Sequence, residues 1–239
     1  MSAEGSVLVA GVGPGLGIAV AMRFAREGYR VSMLARSRER LAAMAAQTPD
    51  HLIAMPCDVT DPAQVSAAFD ETEERLGPLA CVVSNAGAYR PGSILDIAPN
   101  DFEYCWRVGA FAGFLIGQAA ARRMVARGSG TILFTGATAS LRGAANFANL
   151  ASPKFALRAL AQSMARELGP RGIHVAHIII DGQIGEAAKG DDGGRSPDSR
   201  LAPHVIAEAY PIFIASIAPH GRRRSTCAPG SNASKVWGI

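Results

Sequence analysis

Short apolar, β-branched runs alternate with longer stretches in which apolar residues recur every three or four positions, from residue 6 to about residue 180. The short runs predict strands over Ser6–Ala10, Arg30–Ala35, His51–Met55, Ala80–Ser84, Gly130–Thr135 and His174–Ile180. The longer ones predict helices near Gly15–Glu27, Arg38–Gln47, Pro62–Leu76, Asp101–Arg127 and Phe155–Leu168. Strands that are apolar throughout suit a parallel sheet buried on both faces, so the alternation implies an α/β protein with right-handed crossovers. Ser152 followed by Pro153 reads as an N-cap and first helical residue for the last of these helices. The run Asp191–Arg200 is polar and rich in turn residues and reads as a loop. The pattern supports one domain over residues 1–210, and it breaks down over residues 211–239.

With 239 residues, 49% of them apolar, the chain has ample material for one buried core. A formal net charge of +4 raises the question of a nucleic-acid partner. The excess comes entirely from Arg222, Arg223, Arg224 and Lys235, in a tail without Asp or Glu, and the rest of the chain is balanced. Nucleic acid is therefore not expected. No apolar run is long enough to span a membrane and the first residues lack a secretory pattern, so a cytoplasmic protein without membrane attachment is expected. Cys57, Cys81, Cys105 and Cys227 show no ligand-type spacing, which predicts reduced thiols and no metal site.

The first chemical motif is Gly11-Val12-Gly13-Pro14-Gly15-Leu16-Gly17, after the first strand and at the start of the first helix. Glycines there allow a tight turn and bring backbone N–H groups and the helix dipole to a pyrophosphate. A plain strand-to-helix turn would not need four glycines in seven residues. In this context the sheet is expected to be a single Rossmann-like doubly wound parallel sheet with helices on both faces.

At this point the chain resembles the short-chain dehydrogenase/reductase family, over about Val7 to Asp181. Gly11, Gly15 and Gly17 match the spacing of that family's cofactor loop, with Gly13 and Leu16 inside it. Asp58-Val59 looks like its adenine-binding pair, although Asp58 also suits a helix cap. Asn85-Ala86-Gly87, after Ser84, looks like its Asn-Asn-Ala-Gly element, although it also suits a turn. The second strand ends in Leu34-Ala35-Arg36-Ser37-Arg38, with no acid for an NAD ribose, and Arg36 resembles the family's phosphate-binding arginine. The resemblance therefore implies NADP(H) ahead of NAD(H). Arg38 reads more simply as a solvated helix start.

The family's proton relay implies four more positions. Lys154 fits the lysine that holds the nicotinamide ribose, although a surface lysine at a helix start would read the same. Counting back four places Leu150 at the catalytic tyrosine, thirteen more place Ala137 at the serine, and Gly109 falls at the asparagine. Three of four polar groups are thus expected to be missing. Thr138, one residue past the serine position, is available to hydrogen-bond a carbonyl. Tyr89 is expected to pack in a loop, and Tyr104 is expected to lie too far from the site to matter.

Two readings of function remain open. One is an NADP(H)-binding oxidoreductase with an altered site, acting on a small carbonyl or hydroxyl substrate held by Ala137, Leu141 and Leu150. The other is a catalytically inactive nucleotide-binding sensor or structural subunit, alone or beside an active partner in a hetero-oligomer. The resemblance also implies a homodimer or homotetramer, packed through the helices that carry Phe111, Phe114, Leu115, Ile116, Phe155, Leu157 and Leu160. The anomalous tail, 211–239, reads either as a reading-frame shift near residue 211 or as a weakly ordered terminus. The substrate itself is not legible.

Overall fold

The computed structural model describes residues 5–46, 52–185, 200–215 and 236–238. Its strands are β1 (Ser6–Ala10), β2 (Arg30–Ala35), β3 (Leu52–Pro56), β4 (Leu79–Ser84), β5 (Gly130–Thr135), β6 (Ile173–Ile180), β7 (Gln183–Ile184), β8 (Arg200–Leu201) and β9 (Val236–Gly238). The helices are α1 (Leu16–Arg26), α2 (Arg38–Ala45), α3 (Pro62–Leu76), α4 (Pro99–Trp106), α5 (Ala112–Arg127), α6 (Ala148–Leu168), α7 (Pro203–Ala207) and α8 (Ile212–Ala215).

The main sheet has the order β3-β2-β1-β4-β5-β6-β9. β1 to β6 pair in parallel, as the strand pattern implies, and β9 pairs antiparallel with β6 through Ile178–Gly238, Ile179–Trp237 and Ile180–Val236. β7 and β8 form a separate parallel pair. Alternate strand residues divide between two layers: Val7 and Val9 join the core under α1, whereas Leu8 and Ala10 join the core under α3, α5 and α6. The strand order reverses between β1 and β4, which opens a crevice at their carboxyl ends.

Local chemistry fixes several element ends. Asp61 caps α3 by accepting from the N–H groups of Ala63 and Gln64, Pro62 opens that helix, and Gly77, at φ +81°, ends it. Two sequence expectations are corrected. The single helix expected over Asp101–Arg127 is interrupted by a π-helical turn at Arg107–Phe111, so α4 and α5 are separate segments. α6 begins at Ala148, seven residues earlier than expected, which leaves Pro153 inside the helix and Ser152 exposed on it rather than capping it. Its amphipathic signal is masked because Pro153 and Ser152 look like a start. The six parallel strands stand as expected, and β9, from a tail with no strand pattern, adds an antiparallel edge. The predicted loop at 191–199 lies outside the described residues, as do Gln47, His51 and Cys227.

Among the described residues no helix is long and apolar enough to cross a membrane, and no three metal-ligating side chains cluster.

Candidate active site

β1 delivers the chain into the glycine turn, where the N–H groups of Gly11 and Val12 both bond the Leu34 carbonyl at 2.9 and 3.0 Å. Gly11 has φ +90°, and a Cβ there would stand 2.5 Å from the Ala86 backbone. Only glycine meets both demands. Gly17 is equally constrained, since its Cβ would come within 2.6 Å of the Gly11 carbonyl oxygen. Asn85 closes the turn from the β4 side by donating from Nδ2 to that same oxygen at 2.9 Å. Gly13 and Gly15 differ, because a Cβ on either would meet nothing within 4 Å. Their bare backbone faces open space. Gly15 also gives α1 no side-chain cap; the Ile18 N–H turns back to the Gly13 carbonyl at 3.2 Å, and the helix N-terminus faces the open space.

That space is a cavity of about 470 Å³. Gly11, Gly13, Gly15, Leu16 and Gly17 line it with Arg36, Asp58, Val59, Asn85, Ala86 and Gly87. The fold thus gathers around one crevice every cofactor position read from the sequence except Lys154. Asp58 is held by the N–H and hydroxyl of Thr60, at 2.9 and 2.8 Å. The cavity's far end carries Arg36, Ser37 and Arg40, and Ser37 caps α2 by accepting from the Arg40 N–H at 3.3 Å.

Tyr104 and Arg107 are among the wall residues that were missed or dismissed in the sequence. Tyr104, expected to lie too far away, lines the cavity and accepts from Arg36 at 3.3 Å, while the Arg90 guanidinium lies 4.3 Å from its ring centre. Arg107, at the π turn, lines the same wall. Their place depends on the loop from Gly87 folding α4 back across the crevice, which no local spacing encodes.

Lys154 lies beyond the cavity lining. It is 7% exposed, and its Nζ donates to the Thr135 carbonyl at 2.7 Å. A Cβ on Gly87 would stand 3.8 Å from that Nζ, so Lys154 adjoins the cavity wall. Desolvation pushes its ammonium down to about 8. Because α6 starts at Ala148, Leu150 sits one turn before Lys154 on the same helix, half-buried. Ala137 is half-buried at the end of β5. Gly109 is buried in the π turn, where a Cβ would stand 2.8 Å from the Pro153 Cβ. The proline ring occupies the space any side chain at 109 would need. Leu141 is 37% exposed, and Tyr89 stacks on Phe147 with centroids 5.5 Å apart.

Other polar groups cluster below the strand ends. Ser140 Oγ accepts from the Ala137 N–H at 3.1 Å and lies 3.4 Å from His177 Nε2. The Tyr210 hydroxyl lies 2.9 Å from Thr135 Oγ1. Ser140, His177 and Tyr210 are all fully buried. Thr138 Oγ1 donates to Asp181, and both of those residues are half-buried.

Comparison with known proteins agrees with this geometry. Residues 6–183 match the family model described as short chain dehydrogenase. The chain is 34% identical over 179 residues to the 3-oxoacyl-(acyl-carrier-protein) reductase MabA of Mycobacterium avium, covering 75% of this chain and 67% of the relative. It is similar to the crystal structure of a short-chain dehydrogenase from Rhodopseudomonas palustris, at 38% identity and a TM-score of 0.74, covering 86% of this chain and 89% of the other. It is also similar to a gluconate 5-dehydrogenase from Burkholderia cenocepacia in complex with NADP and tartrate, at 28% identity and a TM-score of 0.80, covering 90% of each chain. Fold, glycine crevice and sequence relationship together place this chain in the short-chain dehydrogenase family of oxidoreductases.

Proposed function

We propose that the protein is an NADP(H)-dependent oxidoreductase for a small carbonyl or hydroxyl compound, working without the tyrosine, serine and asparagine of the family's usual proton relay. The observation that carries the coenzyme choice is the cavity end formed by Arg36, Ser37 and Arg40, with no carboxylate at the end of β2. Guanidinium groups there suit a 2′-phosphate, and the uncapped amides of α1 suit a pyrophosphate. When bound, NADP(H) supplies or accepts the hydride. Lys154 has three donors, so its bond to Thr135 leaves two for a ribose hydroxyl. Leu150 transfers no proton and shapes an apolar wall.

The reading is supported by relatives that reduce or oxidise such groups, among them an L-2,3-butanediol dehydrogenase of Corynebacterium glutamicum. Fluorescence titration should show NADPH binding more tightly than NADH. Arg36→Ala should weaken NADPH about tenfold or more while leaving NADH nearly unchanged. Tighter binding of NADH overturns the assignment. Turnover is then sought with diacetyl, a 3-oxobutanoyl thioester and 5-ketogluconate, and with the matching alcohols. Leu150 favours a second reading, binding without turnover, and tight NADPH binding with every substrate inert would select it.

We also propose a homo-oligomer. Trp106, Phe114 and Phe155 are 41%, 41% and 43% exposed, and the first two stack on either side of Phe111 with centroid distances of 6.4 and 6.3 Å. Such an aromatic stripe on α4 to α6 suits a second copy.

A further inference from the structure

The chain carries a polar pair just past the ends of β5 and β6, Thr138 and Asp181. Within the β5–β6 ladder Thr135 stands opposite Ile178. Running that register three residues further sets Thr138 opposite Asp181, and the hydrogen bond from Thr138 Oγ1 to Asp181 Oδ1 closes this last rung. The same rung region anchors Lys154, through the Thr135 carbonyl, and is tied by the Gly136 N–H to the Ile178 carbonyl at 2.6 Å. The pair therefore stands just past the carboxyl ends of β5 and β6, three residues beyond the Thr135 whose carbonyl holds Lys154, on the side of the sheet where ligands of open α/β folds bind.

We propose that Asp181 is the catalytic acid–base group of this protein, with Thr138 as the residue that positions it. The proposal rests on reading the protein as an NADP(H)-dependent oxidoreductase. In alcohol oxidation the Asp181 carboxylate takes the hydroxyl proton while the carbinol hydrogen leaves with its electron pair to NADP⁺. The carbon–oxygen single bond becomes a carbonyl, and the products are the carbonyl compound, NADPH and protonated Asp181. In reduction the same proton returns to the carbonyl oxygen. One carboxylate oxygen is held by Thr138, which leaves the other for the substrate.

Several other polar groups among the described residues are committed elsewhere. His177 and Ser140 are fully buried under the strand ends, and the Tyr210 hydroxyl is spent on Thr135. Tyr104 and Asp58 belong to the other end of the crevice, bonded to Arg36 and Thr60. Leu150 and Ala137 carry no proton. Asp181 is half-buried rather than sealed in the core.

Asp181→Asn separates the proposed role from a merely structural one. The amide oxygen still accepts from Thr138, so the rung survives, but the side chain no longer takes a proton. Thermal unfolding and NADPH affinity, followed by fluorescence, should match those of the unaltered chain. Single-turnover hydride transfer from whichever alcohol of the panel the unaltered chain oxidises should fall by a factor on the order of 10²–10⁴. A readout independent of turnover is the affinity for 2,2,2-trifluoroethanol, an acidic alcohol followed by ¹⁹F NMR. It should weaken about tenfold in Asp181→Asn, as an ionic acceptor becomes neutral. Thr138→Ser should restore what Thr138→Val loses. Transfer in Asp181→Asn within about twofold of the unaltered rate, or unchanged trifluoroethanol affinity, overturns the proposal and leaves the oxidoreductase reading standing. An unaltered chain that binds NADPH but oxidises no alcohol in the panel overturns both.

Discussion

His177 is 1% exposed beneath the strand ends, against Gly136 and Ser140. Desolvation, aided by Lys154 and Arg158, pushes its imidazole down from 6.5 to about 4. The unfolded chain takes up that proton near pH 6.5, whereas the folded chain resists until about pH 4. The stability this contributes is therefore fully present above pH 6.5 and lost as the pH falls to 4, amounting to about 3 kcal/mol. His177→Gln keeps a side chain of similar reach without the titration. Guanidinium unfolding at pH 7.5 and 4.5 should show a smaller drop in the variant by roughly that amount; an equal drop refutes this account. Residues of this kind are poorly legible in sequence. His177 lies in an ordinary apolar strand, and Asp181 follows it without a motif, because their meaning comes from cross-strand neighbours some forty positions away. The glycine turn was legible, since its chemistry is contained in seven consecutive residues.

Among the elements, the meeting of the π turn with α6 has an energetic consequence. A Cβ at Gly109 would press on Pro153, and neither backbone is free to retreat without disturbing a helix. Gly109→Ala should cost about 1–3 kcal/mol through overpacking. Pro153→Gly, which removes the Cβ that Gly109 would meet, should relieve most of that cost, so the two changes should be strongly non-additive in a denaturant double-mutant cycle. Simple additivity would show that the contact is slack. The strand–helix alternation placed all six parallel strands because each is a short, mainly apolar and β-branched run bounded by turn residues. The elements misread are those where a local signal conflicts with packing. Pro153 looked like a helix start and is instead carried inside α6, and the long helix gave no warning of its π turn, whose partner lies on another element.

For the whole molecule, the sheet's closing strand matters more than its three residues suggest. β6 is the last parallel strand, and its outer edge runs along Ile178, Ile179 and Ile180. β9 occupies the hydrogen-bonding groups of that edge. A chain shortened before residue 236 should offer an unpaired row of amides and carbonyls beside three consecutive isoleucines, a template for the strands of other molecules. Removal of residues 231–239 should leave NADPH binding intact and raise light scattering on warming; unchanged scattering would mean the edge is guarded by something else. β9 would then act as a cover against self-association, and natural variation in its three residues would set how crowded a solution this protein tolerates rather than how fast it works.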